Sequence, residues 1–165
     1  MAHQHRYLIA LGSNRRHHLH GEPRKVLRAA LRALERADIE VIAASPTYMT
    51  DPIGPSSRRY ANSAAVISTA LAPQKLLRKL KSIEADFGHR IGQRWSSRTL
   101  DLDIILWDGG AFHSNNLTIP HPLFRQRDFV LRPANQIARN WVDPLTGLAV
   151  RHLFTHFRKK LSKYG

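Results

Sequence analysis

The stretch Arg94-Trp95-Ser96-Ser97-Arg98-Thr99-Leu100-Asp101-Leu102-Asp103-Ile104-Ile105-Leu106-Trp107 carries a β-strand from Leu100 onward, short, branched and apolar, closed by Asp108-Gly109-Gly110. Regular alternation places Asp101 and Asp103 on one face with Ile105 and Trp107, and Leu100, Leu102, Ile104 and Leu106 on the other. Two carboxylates about 7 Å apart along a strand cannot be buried bare among such neighbours. A cation between them removes the difficulty. Hard oxygen donors in a chain without Cys point to Mg²⁺ or Mn²⁺. Arg94 and Arg98 arrive just before the pair, and carboxylate-held metal beside guanidinium groups suits a polyphosphate, whose charge both neutralise. The alternative is an Asp pair that faces water and pairs with nearby Arg. The apolar half-strand on the carboxylate face favours a site at the strand's open end.

Upstream, Pro73 to Phe87 has helical spacing, with Leu76, Leu77, Leu80, Ile83 and Phe87 inward and Glu84 beside that face. Gly88-His89-Arg90-Ile91-Gly92-Gln93 is a basic loop leading into the strand. Tyr60 to Thr69 reads as another strand, on which Tyr60 and Asn62, two apart, share a face. A ring for stacking and an amide for matched hydrogen bonds suit a flat heterocycle. The segment before it, Ser45 to Pro55, holds three prolines and a glycine and reads as a stiff irregular loop of the kind that carries binding surfaces. Further upstream are a strand at Tyr7 to Leu11 ending in Gly12-Ser13-Asn14, a helix from Pro23 to Ala37, and a strand from Ile39 to Ala44. The first helix has an apolar stripe (Val26, Leu27, Ala30, Leu31, Leu34) and an outer stripe of Arg24, Arg28, Arg32 and Arg36. The histidines 3, 5, 17, 18 and 20 read as mobile polar chain rather than a metal site.

Downstream, Asp108 to Asn116 is a turn-rich excursion. Val150, Leu153, Phe154, Phe157 and Leu161 have helical spacing with Arg158, Lys159 and Lys160 outside, as in a capping helix.

The order strand, helix, strand, strand, helix, strand is that of a split β-α-β, ferredoxin-like domain: an α+β fold with an antiparallel four-stranded sheet, two helices on one face and a C-terminal extension. A length of 165 residues is that of one domain, taken as 1–165. The absence of cysteine excludes a disulfide scaffold and thiolate chemistry. No apolar run approaches a membrane span, and the N-terminus lacks a signal-peptide core, so the cytoplasm is the expected location. Net charge +14 calls for an anionic partner without choosing among nucleic acid, anionic membrane and nucleotide phosphates.

The run R-W-x-x-R-T-L-D-L-D-I-I-L resembles the signature of the 6-hydroxymethyl-7,8-dihydropterin pyrophosphokinase family. So do Gly12-Ser13-Asn14, the loop from Tyr48 through Thr50, Pro52, Gly54 and Pro55, the run Tyr60 to Ala64, the Ile83-Glu84 pair, Leu117 to Pro122, and Arg125 to Pro133. The resemblance covers about residues 7 to 140. It implies transfer of pyrophosphate from ATP to the hydroxymethyl group of a dihydropterin in folate biosynthesis, with ATP as co-substrate and two Mg²⁺ ions on Asp101 and Asp103. It implies Arg94, Arg98, His121 and Arg127 at phosphates, with Arg90 and Trp95 in the same ATP site, and Glu84, Ile104 and Thr118 around the nucleoside. Tyr60 and Phe129 would sandwich the pterin, while Asn62 and backbone groups of Thr50 and Ile53 read its edge. The chain departs from the family pattern at Ser96-Ser97, where Gly-Pro is usual, at Lys81, where Gln is usual, and at His89 and Ile91, where Arg is frequent and only Arg90 remains. The reading expects small-molecule substrates, a monomer, and no nucleic-acid or membrane partner.

Two other classes compete. An RNA-binding module shares the element order and suits the charge, but the central strands lack an aromatic run, and an Asp pair without metal repels phosphate. A non-catalytic ATP-binding regulator would lack a site residue, and the core set is complete.

Overall fold

Tyr60–Thr69 is buried at every position after the first, a state a strand reaches only when its sheet is covered on both faces. The computed structural model describes residues 3–14, 20–50, 60–88 and 99–164, and in it this segment, β4, is the hub of an antiparallel sheet. The other strands are β1 (His5–Ser13), β2 (Glu40–Ala44), β3 (Tyr48–Thr50) and β5 (Asp101–Trp107). Their order is β2-β4-β1-β5, with β3 also paired to β4. With helices α1 (Pro23–Arg36) and α2 (Pro73–Gly88) between strands, this is the split β-α-β arrangement expected of an α+β, ferredoxin-like chain.

Period-2 strands and period-3.6 helices put their apolar residues into one layer between sheet and helices. Tyr7, Ile9 and Leu11 of β1, Ala65 and Ile67 of β4, and Leu102 and Ile104 of β5 meet Val26, Leu27, Ala30 and Leu34 of α1 and Leu76, Leu80, Ile83 and Phe87 of α2. The outer arginines of α1 face solvent.

The second face is less open than the four-stranded pattern implies. A 3-10 turn (Phe124–Gln126), α3 (Asp128–Ile137) and α4 (Val150–Tyr164) follow β5. With Leu8, Val66, Ile105 and Leu106 they build a second core from Phe124, Val130, Leu131, Ala134, Val150 and Leu153. Helix α4 caps this core as expected, but Leu161, at the end of its predicted stripe, is 56% exposed. A bidentate ion pair, Arg125 Nε and Nη2 to the Asp143 carboxylate at 2.6 and 2.9 Å, ties the 3-10 turn to the loop before α4. Asp143 is wholly buried and also accepts bonds from Thr146 Oγ1 and the Leu145 N–H.

Three expectations need correction. Tyr48–Thr50, read as irregular loop, is a strand in register with Tyr60–Asn62. Phe112–His113, inside the supposed excursion, pairs with Thr118–Ile119 as a small hairpin, β6 and β7. In β5 the alternation breaks: Leu8 faces Leu106 while Ile9 faces Ile104, a β-bulge that inserts Ile105. Leu106 therefore joins Ile105 on the α3–α4 side. Trp107 crosses to the other face, where it stacks on Tyr7 at a centroid distance of 6.4 Å and donates to His5 Nδ1 at 3.3 Å. Gly109 makes room for it, since a Cβ there would come within 2.2 Å of the Trp107 ring.

Candidate active site

The end of the second face away from the second core lies where β1 finishes and β4 and β5 begin. Register fixes what stands there. Gly12 pairs with Asn62 on one side and Asp101 on the other, and Asn62 pairs with Tyr48. Directly paired residues share a face, so Tyr48, Asn62, Gly12 and Asp101 form one row across four strands. Asp103 stands in the next row, opposite Ala10, which pairs with Ala64. The expected placement of both carboxylates on one face is what the structure has, with Asp101 exposed and Asp103 half-buried.

Asn62 is buried while Tyr60 is 48% and Phe129 43% exposed. A buried amide and half-exposed rings are the groups that suit a flat polar heterocycle. Phe129 arrives on the first turn of α3, with the Arg127 guanidinium over its ring at 5.5 Å from the centroid. Thr50 pairs with Tyr60 at the start of β4.

His121 follows β7. Its backbone N–H donates to Ile105 O at 3.0 Å, and its ring Nδ1 accepts the Leu123 N–H at 3.1 Å. The proton of the neutral ring is thereby assigned to Nε2, leaving an N–H donor for an anion. Burial lowers the ring's proton affinity, Asp103 opposes that and Arg127 adds to it, so the fields of both side chains reach the His121 ring.

Glu84 lies behind β5. Its carboxylate accepts from Lys81 Nζ at 3.1 Å and from the Leu102 N–H at 3.4 Å, between the two aspartates. Burial raises its pKa, while Lys81 and that N–H pull it down. Lys81, the departure from the usual Gln, thus supplies a cation to a buried carboxylate. Ile104 is 3% exposed within the helix-side core, so only its backbone could face a nucleotide. The Thr118 hydroxyl is engaged with His113 Nδ1 at 3.1 Å. Ile53, Arg90, Arg94, Trp95 and Arg98 lie outside the described residues, as do His17 and His18.

Among the described residues no three His, Asp or Glu side chains cluster as a metal cage. A solvent-accessible carboxylate pair fits Mg²⁺ all the same, because that ion commonly takes one or two carboxylates and completes its shell with water and substrate phosphates. Zinc-type or Cys-based sites do not fit the donors. Among the described residues no helix is long and apolar enough to cross a membrane.

Two features of the site are absent from the sequence reading. Tyr48 faces Asn62, and the β-prone run Tyr48-Met49-Thr50 was the signal for it. Gly12 forms the floor between Asn62 and Asp101, which only strand register reveals.

Comparison with known proteins gives the family. Residues 8–139 match the family model for 7,8-dihydro-6-hydroxymethylpterin-pyrophosphokinase. The 2-amino-4-hydroxy-6-hydroxymethyldihydropteridine pyrophosphokinase of Pseudomonas aeruginosa is 41% identical over 135 residues, 81% of this chain and 80% of that protein. The Haemophilus influenzae protein of the same name is 39% identical over 138 residues, 82% and 83% of the two chains. The crystal structure of wild-type Plasmodium falciparum HPPK-DHPS superimposes with a TM-score of 0.77 at 14% identity, over 98% of this chain and 42% of that one. At that identity the likeness speaks for the fold.

Proposed function

The chain belongs to the 7,8-dihydro-6-hydroxymethylpterin-pyrophosphokinase family, and on that premise we propose that it transfers pyrophosphate from ATP to 6-hydroxymethyl-7,8-dihydropterin, releasing AMP, in folate biosynthesis. The observation that carries this reading is the row Asn62–Gly12–Asp101, which sets a heterocycle-reading amide and a metal-ready carboxylate on either side of one bare glycine. A pterin held between Tyr60 and Phe129 with its edge on Asn62 would direct its hydroxymethyl group over Gly12 toward the carboxylates.

In the reaction the substrate hydroxyl oxygen bonds to the β-phosphorus, the bond from that phosphorus to the α–β bridging oxygen breaks, AMP leaves, and the hydroxyl proton is lost. No protein nucleophile is needed; positioning and charge neutralisation do the catalytic work. Asp101 and Asp103 would hold Mg²⁺, which when bound neutralises the triphosphate and lowers the pKa of the attacking hydroxyl. His121 Nε2–H and Arg127 would donate to phosphate oxygens on the same side, and Arg90, Arg94 and Arg98 are assigned there by the family pattern. Glu84, behind β5, supports the strand that carries both aspartates. We assign the chain a single catalytic domain over residues 1–165, acting as a cytoplasmic monomer on small-molecule substrates.

The test is direct. Purified protein mixed with ATP, Mg²⁺ and 6-hydroxymethyl-7,8-dihydropterin should form AMP and the pterin diphosphate in equal amounts, and neither without Mg²⁺. Formation of ADP instead, or no turnover with the protein folded, rejects the reading.

A further inference from the structure

We propose a second small-molecule site, at the opposite end of the same sheet face, for a flat aromatic ring that carries an anionic group. Helix α3 ends at Ile137 and α4 begins at Val150, so the corner of the sheet beyond them is left uncovered. A cavity of about 340 Å³ lies there. Its floor is apolar, with Ala43, Val66 and Ala138, and its walls are Arg6, Arg139 and Trp141. Arg6 stands six residues before Gly12 on β1, which separates this cavity from the active-site floor by roughly 20 Å along the strand.

Charge and shape agree on one ligand class. Arg6 and Arg139 are both exposed, and neither makes an ion pair among the described residues. The row through Arg6 continues to Ser68 and then to Glu40. On the other side the Asp108 backbone N–H donates to Arg6 O at 2.9 Å, and neither of these carboxylates forms an ion pair with Arg6 among the described residues. Arg151 stands close behind, its backbone N–H donating to Arg139 O at 3.0 Å and its guanidinium to the Asn140 side-chain oxygen. The backbone of Trp141 is pinned on both sides, its N–H donating to Ala138 O at 3.0 Å and its carbonyl accepting from the Val150 N–H at 2.9 Å, and its half-buried side chain packs against the second core. A core-packed indole beside an apolar floor favours a planar ring, and two guanidinium groups without an ion pair favour a carboxylate, sulfonate or phosphate on that ring. The volume is at the small end for ligand pockets, which limits the occupant to about one or two rings. None of these residues belongs to the proposed catalytic set.

The probe is 2-naphthoate, titrated calorimetrically into the full chain, with its uncharged isostere 2-naphthamide as control. Saturable binding is expected, weakened about tenfold or more, the equivalent of one charge-assisted contact, in the Arg6→Ala/Arg139→Ala double variant, in Trp141→Leu, and for 2-naphthamide on the unaltered chain. The double variant should keep its kcat and its KM for ATP and the dihydropterin, and neither substrate should displace the probe. No saturation at low-millimolar probe overturns the proposal. So does equal binding of the amide, undiminished binding by the folded double variant, or displacement by the dihydropterin, which would place the probe in the active site. The amide comparison decides the matter even where a variant fails to fold.

Discussion

Replacing Gly12 by Ala separates the proposed role of this position beside the Asn62 amide from its role in the strand, because the two effects have opposite signs. The backbone of Gly12 is not in the left-handed region, so an L-residue fits its conformation, and Ala in a strand interior is favoured over Gly by about 0.5–1 kcal/mol. The added Cβ would lie 3.3 Å from Asn62 Oδ1, closer than an ordinary contact, so the amide must yield by a few tenths of an ångström. Asn62 is buried and paired on both sides, by Gly12 and by Tyr48, so the shift goes into the hydrogen bonds it offers a substrate edge. Weakening one such bond costs about 1 kcal/mol, or about fivefold in affinity. Gly12→Ala should therefore bind dihydropterin about fivefold more weakly, bind Mg²⁺–ATP within about twofold of the parent, and unfold at slightly higher urea. Fluorescence titration of each substrate and equilibrium unfolding measure the three quantities. Unchanged pterin affinity, or an equal loss for ATP, would refute the assignment of Gly12 as the floor under the amide.

Asp101→Asn and Asp103→Asn should each abolish most turnover and Mn²⁺ binding measured by electron paramagnetic resonance, and the double variant should be little worse than either, because the pair acts as a unit. Near-normal turnover in one variant would remove the metal from this site. Arg125→Met should cost about 3 kcal/mol of stability at neutral pH, since it strands the buried Asp143 carboxylate. Burial alone would raise the Asp143 pKa, but its bonds to Arg125, Thr146 and Leu145 outweigh that and hold it below the usual carboxylate range. In the parent its contribution is therefore present above the unfolded-state pKa and is lost as pH falls through the folded one; in the variant, burial dominates and acidification should recover part of the loss. Urea unfolding at neutral and mildly acid pH checks the change of sign.

Residue types and periods made much of this legible. Alternation and helical spacing located the four principal strands and the two helices between them, because each buries one face and must repeat its apolar residues accordingly. The Asp pair and the Tyr60/Asn62 pair were visible for the same reason: i and i+2 on a strand share a face. What escaped depends on partners rather than on the segment itself. A three-residue strand such as β3 exists only because β4 offers it a ladder, and Gly12 beneath Asn62 is a fact of register between two strands. Helix α3 contains Pro133, which reads as a breaker in one dimension, and the core it builds with α4 is what holds it. The bulge in β5 is of the same kind, since nothing in Asp-Leu-Asp-Ile-Ile-Leu-Trp says which residue β1 will leave unpaired.

That bulge makes β5 two half-strands with opposite phase. A mutagenesis library that treats the strand as one alternating series would mark Leu106 as equivalent to Leu102 and Ile104, and Trp107 as equivalent to the aspartates. It would then place an acid at 107 against Tyr7 and His5, inside the helix-side layer, while varying 106 for a surface it does not touch. Neighbouring positions in this strand should be grouped by the core they enter, with the boundary drawn at Ile105.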